Sequence, residues 1–107
     1  SGVSPDVFSF SAAISACEKG GHWERALSLL DEMSECGISP NVISFNAAIS
    51  ACEKSVQWER ALSLLDEMRE RGVSPTVISF NAAISACEKG GQLERALSLL
   101  DEMHEHG

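Results

Sequence analysis

The chain repeats itself every 35 residues, and that period constrains the fold more than any other feature. Residues 7–41 open Val7-Phe8-Ser9-Phe10-Ser11, residues 42–76 open Val42-Ile43-Ser44-Phe45-Asn46, and residues 77–107 open Val77-Ile78-Ser79-Phe80-Asn81. The third copy differs from the second at five of 31 positions: 90, 91, 93, 104 and 106. Residues 1–6, SGVSPD, match 36–41, CGISPN, in register, so they read as the tail of a preceding repeat. Residues 77–107 read as a third repeat four residues short, and both ends look like cuts through a longer array. A unit this short cannot bury its own apolar surface, whereas stacked copies bury it continuously.

Each copy reads as two helices. The first is expected to start after Asp6, Asn41 or Thr76, good N-cap residues that follow Pro5, Pro40 and Pro75. Phe45, Ala48, Ile49 and Cys52 then fall at i, i+3, i+4 and i+7, as do Phe10/Ala13/Ile14/Cys17 and Phe80/Ala83/Ile84/Cys87. Gly20-Gly21, Ser55-Val56 and Gly90-Gly91 break the pattern and serve as interhelix turns. The second helix carries Trp58, Ala61, Leu62, Leu65 and Met68 on its expected buried stripe and stops at Gly72, with Val73 and Pro75 beyond. No segment alternates with the period of two that marks a strand. The expected fold is all-α, a right-handed α-solenoid of helix-turn-helix repeats with nearest-neighbour stability.

Charge argues against some partners. Eight Lys and Arg against 16 Asp and Glu give a formal net charge of −8, which disfavours a polybasic membrane patch or non-specific nucleic-acid binding. The acidity is uneven, however. Each first helix carries one Glu and one Lys, while residues 24–35, 59–71 and 94–105 sum to −3, −1 and −3, with Asp6 adding −1. The layer of first helices is therefore neutral and the layer of second helices acidic. The 44% hydrophobic content excludes a disordered acidic tail, and no apolar run approaches the length of a membrane span.

The Val-x-Ser-Phe-Asn opening, the Lys before the turn, the Glu-Arg-Ala-Leu-Ser-Leu-Leu-Asp-Glu-Met run and the Gly-(Ile/Val)-Ser-Pro close together resemble the pentatricopeptide repeat family. The resemblance covers essentially the whole chain, and the period separates it from tetratricopeptide repeats. It implies single-stranded RNA as partner, bound at about one base per repeat, in mitochondria or chloroplasts. It further implies that Ser11, Asn46 and Asn81, with the closing residues Asn41 and Thr76, read base edges, the third repeat's closing residue being missing. Phe8, Ile43 and Ile78 resemble the apolar wedges that sandwich bases, and Lys19, Lys54 and Lys89 the lysines that contact phosphate. Carried over, the family's code makes Ser11 with Asn41 an adenine reader and Asn46 with Thr76 a pyrimidine reader. Asn81 alone suggests a pyrimidine, giving 5′-A-pyrimidine-pyrimidine-3′. Phe10, Phe45 and Phe80 stand where the family commonly has Tyr, and Glu18, Glu53 and Glu88 sit beside the lysines and weaken their pull on phosphate.

Blander readings compete. The recurrent Asn and Ser also suit plain helix starts, and the lysines complement the C-terminal ends of their helices. Cys17, Cys52 and Cys87 read as small buried hydrophobes rather than a metal or redox ladder. Trp23 and Trp58 read as core rather than stacking platforms. His104-Glu105-His106 reads as a solvated chain end, because two histidines two apart point to different sides of a helix. No nucleophile–base constellation or phosphate-cradling loop supports catalysis, and no cofactor is implied. The alternative function is a scaffold subunit of a large organellar assembly, with protein partners at the solenoid ends or the acidic outer face.

Overall fold

A computed structural model describes residues 6–106. Residues 1–5, which hold Pro5 and most of the expected preceding-repeat tail, lie outside the described residues, as does the side chain of His106. The described residues form six helices and no strand: α1 (Val7–Gly20), α2 (Trp23–Glu35), α3 (Val42–Lys54), α4 (Trp58–Glu70), α5 (Val77–Lys89) and α6 (Leu93–His106).

The helix starts are set locally. Asp6, Asn41 and Thr76 hold extended backbone, and each side chain accepts a hydrogen bond from the backbone N–H of Ser9, Ser44 or Ser79. At α3 and α5 the serine hydroxyl also accepts from the cap residue's own N–H at 2.9 Å, closing a reciprocal capping box. The second helices lack such caps at His22 and Gln57 and instead place Glu24 and Glu59 in the first turn, where a carboxylate complements the helix dipole.

The turns need a left-handed residue. Gly21 (φ 69°) and Gly91 (φ 72°) supply it in repeats one and three, but Val56 occupies the same position in repeat two at φ 57°. A β-branched residue there is strained by roughly 1–2 kcal/mol. It persists because the chain closes the same pair of bonds, Val56 N–H to Glu53 O at 3.1 Å and Gln57 N–H to Cys52 O at 2.8 Å.

Two layers result. In the inner layer α1 packs on α3 and α3 on α5; each outer helix then sits on its own first helix, and α2 and α4 also on the next one. The core runs between the layers. Phe45, Ala48, Ile49, Ala51 and Cys52 of α3 are fully buried, with Ile14, Met33, Leu65 and Met68 beside them. The expected first-helix face is therefore realised in full on α3, while Ala13, Cys17 and Ile84 are only half-buried on the flanking helices.

The expected stripe on the second helix needs correction. Ala61, Leu65 and Met68 are buried, but Trp58 and Leu62 are half-buried and Leu64 takes a place in the core. Trp23 and Trp58 pack against the core from its edge: each is half-buried and also lies beneath a guanidinium from the next repeat, Arg60 and Arg95 respectively, at 5.4 Å from the ring centroid. Leu93, in the same slot of the third repeat, is 68% exposed.

Candidate nucleic-acid interface

On α3, Ile43, Asn46, Ser50, Glu53 and Lys54 stand at i, i+3, i+7, i+10 and i+11, which is one stripe along a helix. The same stripe recurs on α1 and α5. It puts the expected wedge residue at the helix start, the expected reading residue one turn on, and the lysine at the far end, about 12 Å further along the axis.

The residues expected to act as wedges are unusually bare for apolar side chains. Phe8, Ile43 and Ile78 are 81%, 58% and 63% exposed, with Val77 exposed beside them. Isolated exposed aliphatics are ordinary, but a row that recurs once per repeat on one edge is an apolar ladder open to a ligand.

Two of the expected reading residues, Asn46 and Thr76, meet across the junction of repeats two and three. Asn46 Nδ2 donates to Thr76 Oγ1 at 3.2 Å, and Ser79 Oγ donates to Asn46 Oδ1. Residues 30 apart in sequence thus form one polar cluster, and its hydroxyl and amide both donate and accept. Ser79 is fully buried and was not singled out in the sequence. Its signal was available, because Thr76 and Ser79, like Asn41 and Ser44, have cap-and-third-residue spacing.

The first junction differs. Ser11 is 8% exposed and its hydroxyl has no hydrogen-bond partner, and Asn41 spends its Oδ1 on the α3 cap. The structure does not join Ser11 to Asn41 as it joins Asn46 to Thr76. Asn81 is exposed at the start of α5.

Two of the three lysines are already engaged. Lys54 Nζ lies 2.9 Å from Glu18 Oε2 of the preceding repeat, and Lys89 pairs in the same way with Glu53. Ser85 Oγ also donates to Glu53 at 3.1 Å. Partial burial works against the Glu53 carboxylate, but hydrogen bonds from Lys89 and Ser85 and the charges of Lys89 and Lys54 outweigh it and hold its pKa below the usual carboxylate range. The hydrogen bond and charge of Glu18 push Lys54 upward. Lys19 has no ion-pair partner among the described residues.

The cysteines offer no site. Cys52 and Cys87 are fully buried and all four cysteines are free. Burial pushes the Cys52 thiol up to about 11, well away from a reactive thiolate. Among the described residues no cluster of His, Cys, Asp and Glu could hold a metal ion, and no helix is long and apolar enough to cross a membrane.

Comparison with known proteins sharpens the picture. The PPR repeat family model matches residues 5–54 and 40–87, and a PPR repeat model matches residues 78–107. The crystal structure of the pentatricopeptide repeat protein PPR10 from maize superposes with a TM-score of 0.87 at 29% identity, over 99% of this chain and 15% of that one. PPR10 in complex with an 18-nt psaJ RNA element superposes with a TM-score of 0.86, also at 29% identity, over 99% of this chain and 16% of that one. The chain thus spans only about a sixth of the length of these structures. No curated protein sequence matches it.

Proposed function

The chain belongs to the pentatricopeptide repeat family, and from that premise we propose that it binds single-stranded RNA along the inner layer and reads bases without catalysing a reaction. The observation that carries this reading is the Asn46–Thr76–Ser79 cluster beside the exposed Ile43 and Ile78. Bases inserted between the apolar wedges gain stacking-type contact of about 1–3 kcal/mol each. Their edges then exchange hydrogen bonds with an amide and a hydroxyl that are already gathered in one place. The pre-existing bond between Asn46 and Thr76 must yield or be shared, so a base competes with an internal partner rather than with water alone.

The proposed target is 5′-A-pyrimidine-pyrimidine-3′, with Ser11 and Asn41 reading adenine, Asn46 and Thr76 the first pyrimidine and Asn81 the second. Phe8, Ile43 and Ile78 separate the bases, and Lys19, Lys54 and Lys89 lie along the backbone's path, the last two through ammonium groups already paired with Glu18 and Glu53. Family membership supports an organellar setting, mitochondrial or chloroplast, for this binding. Three bases give modest affinity once the cost of association is subtracted.

Binding to an RNA array tests the proposal. Strands containing 5′-ACC should bind at least tenfold more tightly than 5′-GGG strands, since each edge contact carries about 1 kcal/mol or more, and Asn46→Ala should flatten that preference at its base. Equal affinity for the two strands would sink it. No binding to any strand at low salt, with stable co-purification of protein subunits on the acidic outer face, would favour the scaffold role instead.

A further inference from the structure

Two lysines on the inner stripe are bound to anions, and in both cases the anion belongs to the preceding repeat. Glu18 with Lys54 and Glu53 with Lys89 are the same pair one repeat apart, and Glu53 takes a further hydrogen bond from Ser85. Glu53 is the more enclosed partner, 14% exposed against 45% for Lys89, so the carboxylate is built into the junction while the ammonium lies at its surface. A carboxylate on an ammonium offers the same contact as a phosphodiester oxygen: one shared negative charge and a short N–H···O bond.

We infer that Glu18 and Glu53 act as internal phosphate mimics, occupying the Lys54 and Lys89 ammonium groups so that a nucleic-acid backbone gains little from them and selection is left to the bases. The inference rests on the RNA-binding reading. An ammonium has three donors, so the pair does not exclude a phosphate sterically. It removes the net charge that would attract one, and a phosphate approaching Lys89 meets the Glu53 carboxylate at close range. The affinity given up is the part that does not depend on sequence, so the discrimination ratio is preserved while total affinity falls.

The test separates the backbone from the bases. A base-free deoxyribose-phosphate strand long enough to span the three repeats is titrated against the intact chain and a Glu18→Gln/Glu53→Gln variant over a range of salt. Each phosphate neutralised on a single strand adds about 0.7 to the slope of log affinity against log salt, so two freed lysines should add about 1.4. By the same arithmetic the gain over the intact chain should grow by about 25-fold for each tenfold drop in salt. Adding Lys54→Ala/Lys89→Ala to the variant should abolish the gain, and Glu18→Asp/Glu53→Asp, which draws the carboxylates back, should give an intermediate one. A Glu32→Gln/Glu70→Gln control removes the same charge from exposed outer positions and should gain far less. Unchanged affinity and slope, or an equal gain in the control, would overturn the inference. Failure of the wild-type chain to distinguish 5′-ACC from 5′-GGG strands would sink base reading instead, because the base-free strand tests the lysines alone.

Discussion

The inner and outer layers are built from helices of equal length and are held together differently. Inner helices pack directly on one another, α1 on α3 and α3 on α5, with Ala48, Ala51, Ala83 and Ala86 fully buried, and their junctions are bridged by Glu–Lys pairs and the Asn46 cluster. Among the described residues, no two outer helices bring Cα atoms within 8 Å of each other. They meet through long side chains: Arg60 over Trp23, Arg95 over Trp58, and Arg69 with Glu102. Between α4 and α6 this leaves a groove of about 360 Å³ over Leu62, Leu65 and Leu99, and a groove of about 230 Å³ recurs between α2 and α4. The close-packed layer fixes distances between neighbouring repeats, as the proposed reading of one base per repeat requires. The looser layer carries the acidity and tolerates change.

That contrast can be broken most forcefully at α3. Phe45→Ala removes a fully buried ring from the inner layer and should cost about 3–5 kcal/mol in denaturant unfolding, enough to unfold a three-repeat array. A loss near 1 kcal/mol would mean that the inner layer is not the structural spine. The turn joining the layers should respond in the opposite direction. Val56→Gly relieves the left-handed strain and should stabilise by roughly 1 kcal/mol, while Gly91→Val should destabilise by a similar amount. In the outer layer, Arg60→Ala loses the contact over Trp23 and should cost only about 0.5–1 kcal/mol.

The smallest effect is the acid dependence of the inner ladder. The Glu53 pKa is lowered in the folded chain, so its stabilisation is complete above the unfolded carboxylate value of about 4.3 and is lost as pH falls through the folded value. Glu53→Gln should therefore lower the melting temperature slightly at pH 7, and the difference from wild type should vanish in acid. A difference that persists unchanged below pH 3 would assign the effect to packing.

Much of this was legible in the sequence, and the exceptions share a cause. Caps, turns and the α3 face are local, so Asn41, Thr76, Gly21 and the Phe45–Cys52 spacing identified them directly. Relations across repeats depend on the rotation of one helix pair against the next, which spacing within a repeat does not encode. The partner of Lys54 is Glu18, 36 residues away, rather than the adjacent Glu53. Trp58 packs against the core only at its edge and also carries Arg95 over its ring, while Leu64, which the expected stripe lacks, is buried. Ser11 and Asn46 are equivalent in sequence, but one is a buried hydroxyl without a partner and the other is the hub of a three-residue cluster.

The central claim is that RNA meets the inner stripe and not the outer layer. Titrating isotope-labelled protein with a short strand containing 5′-ACC and following its NMR resonances tests that directly. Shifts are expected at the Asn46 side-chain amide and the Ile43 and Ile78 methyls, with the Trp58 indole unmoved. Shifts confined to Trp23, Trp58 and the groove between α4 and α6, or none at saturating strand, would contradict it.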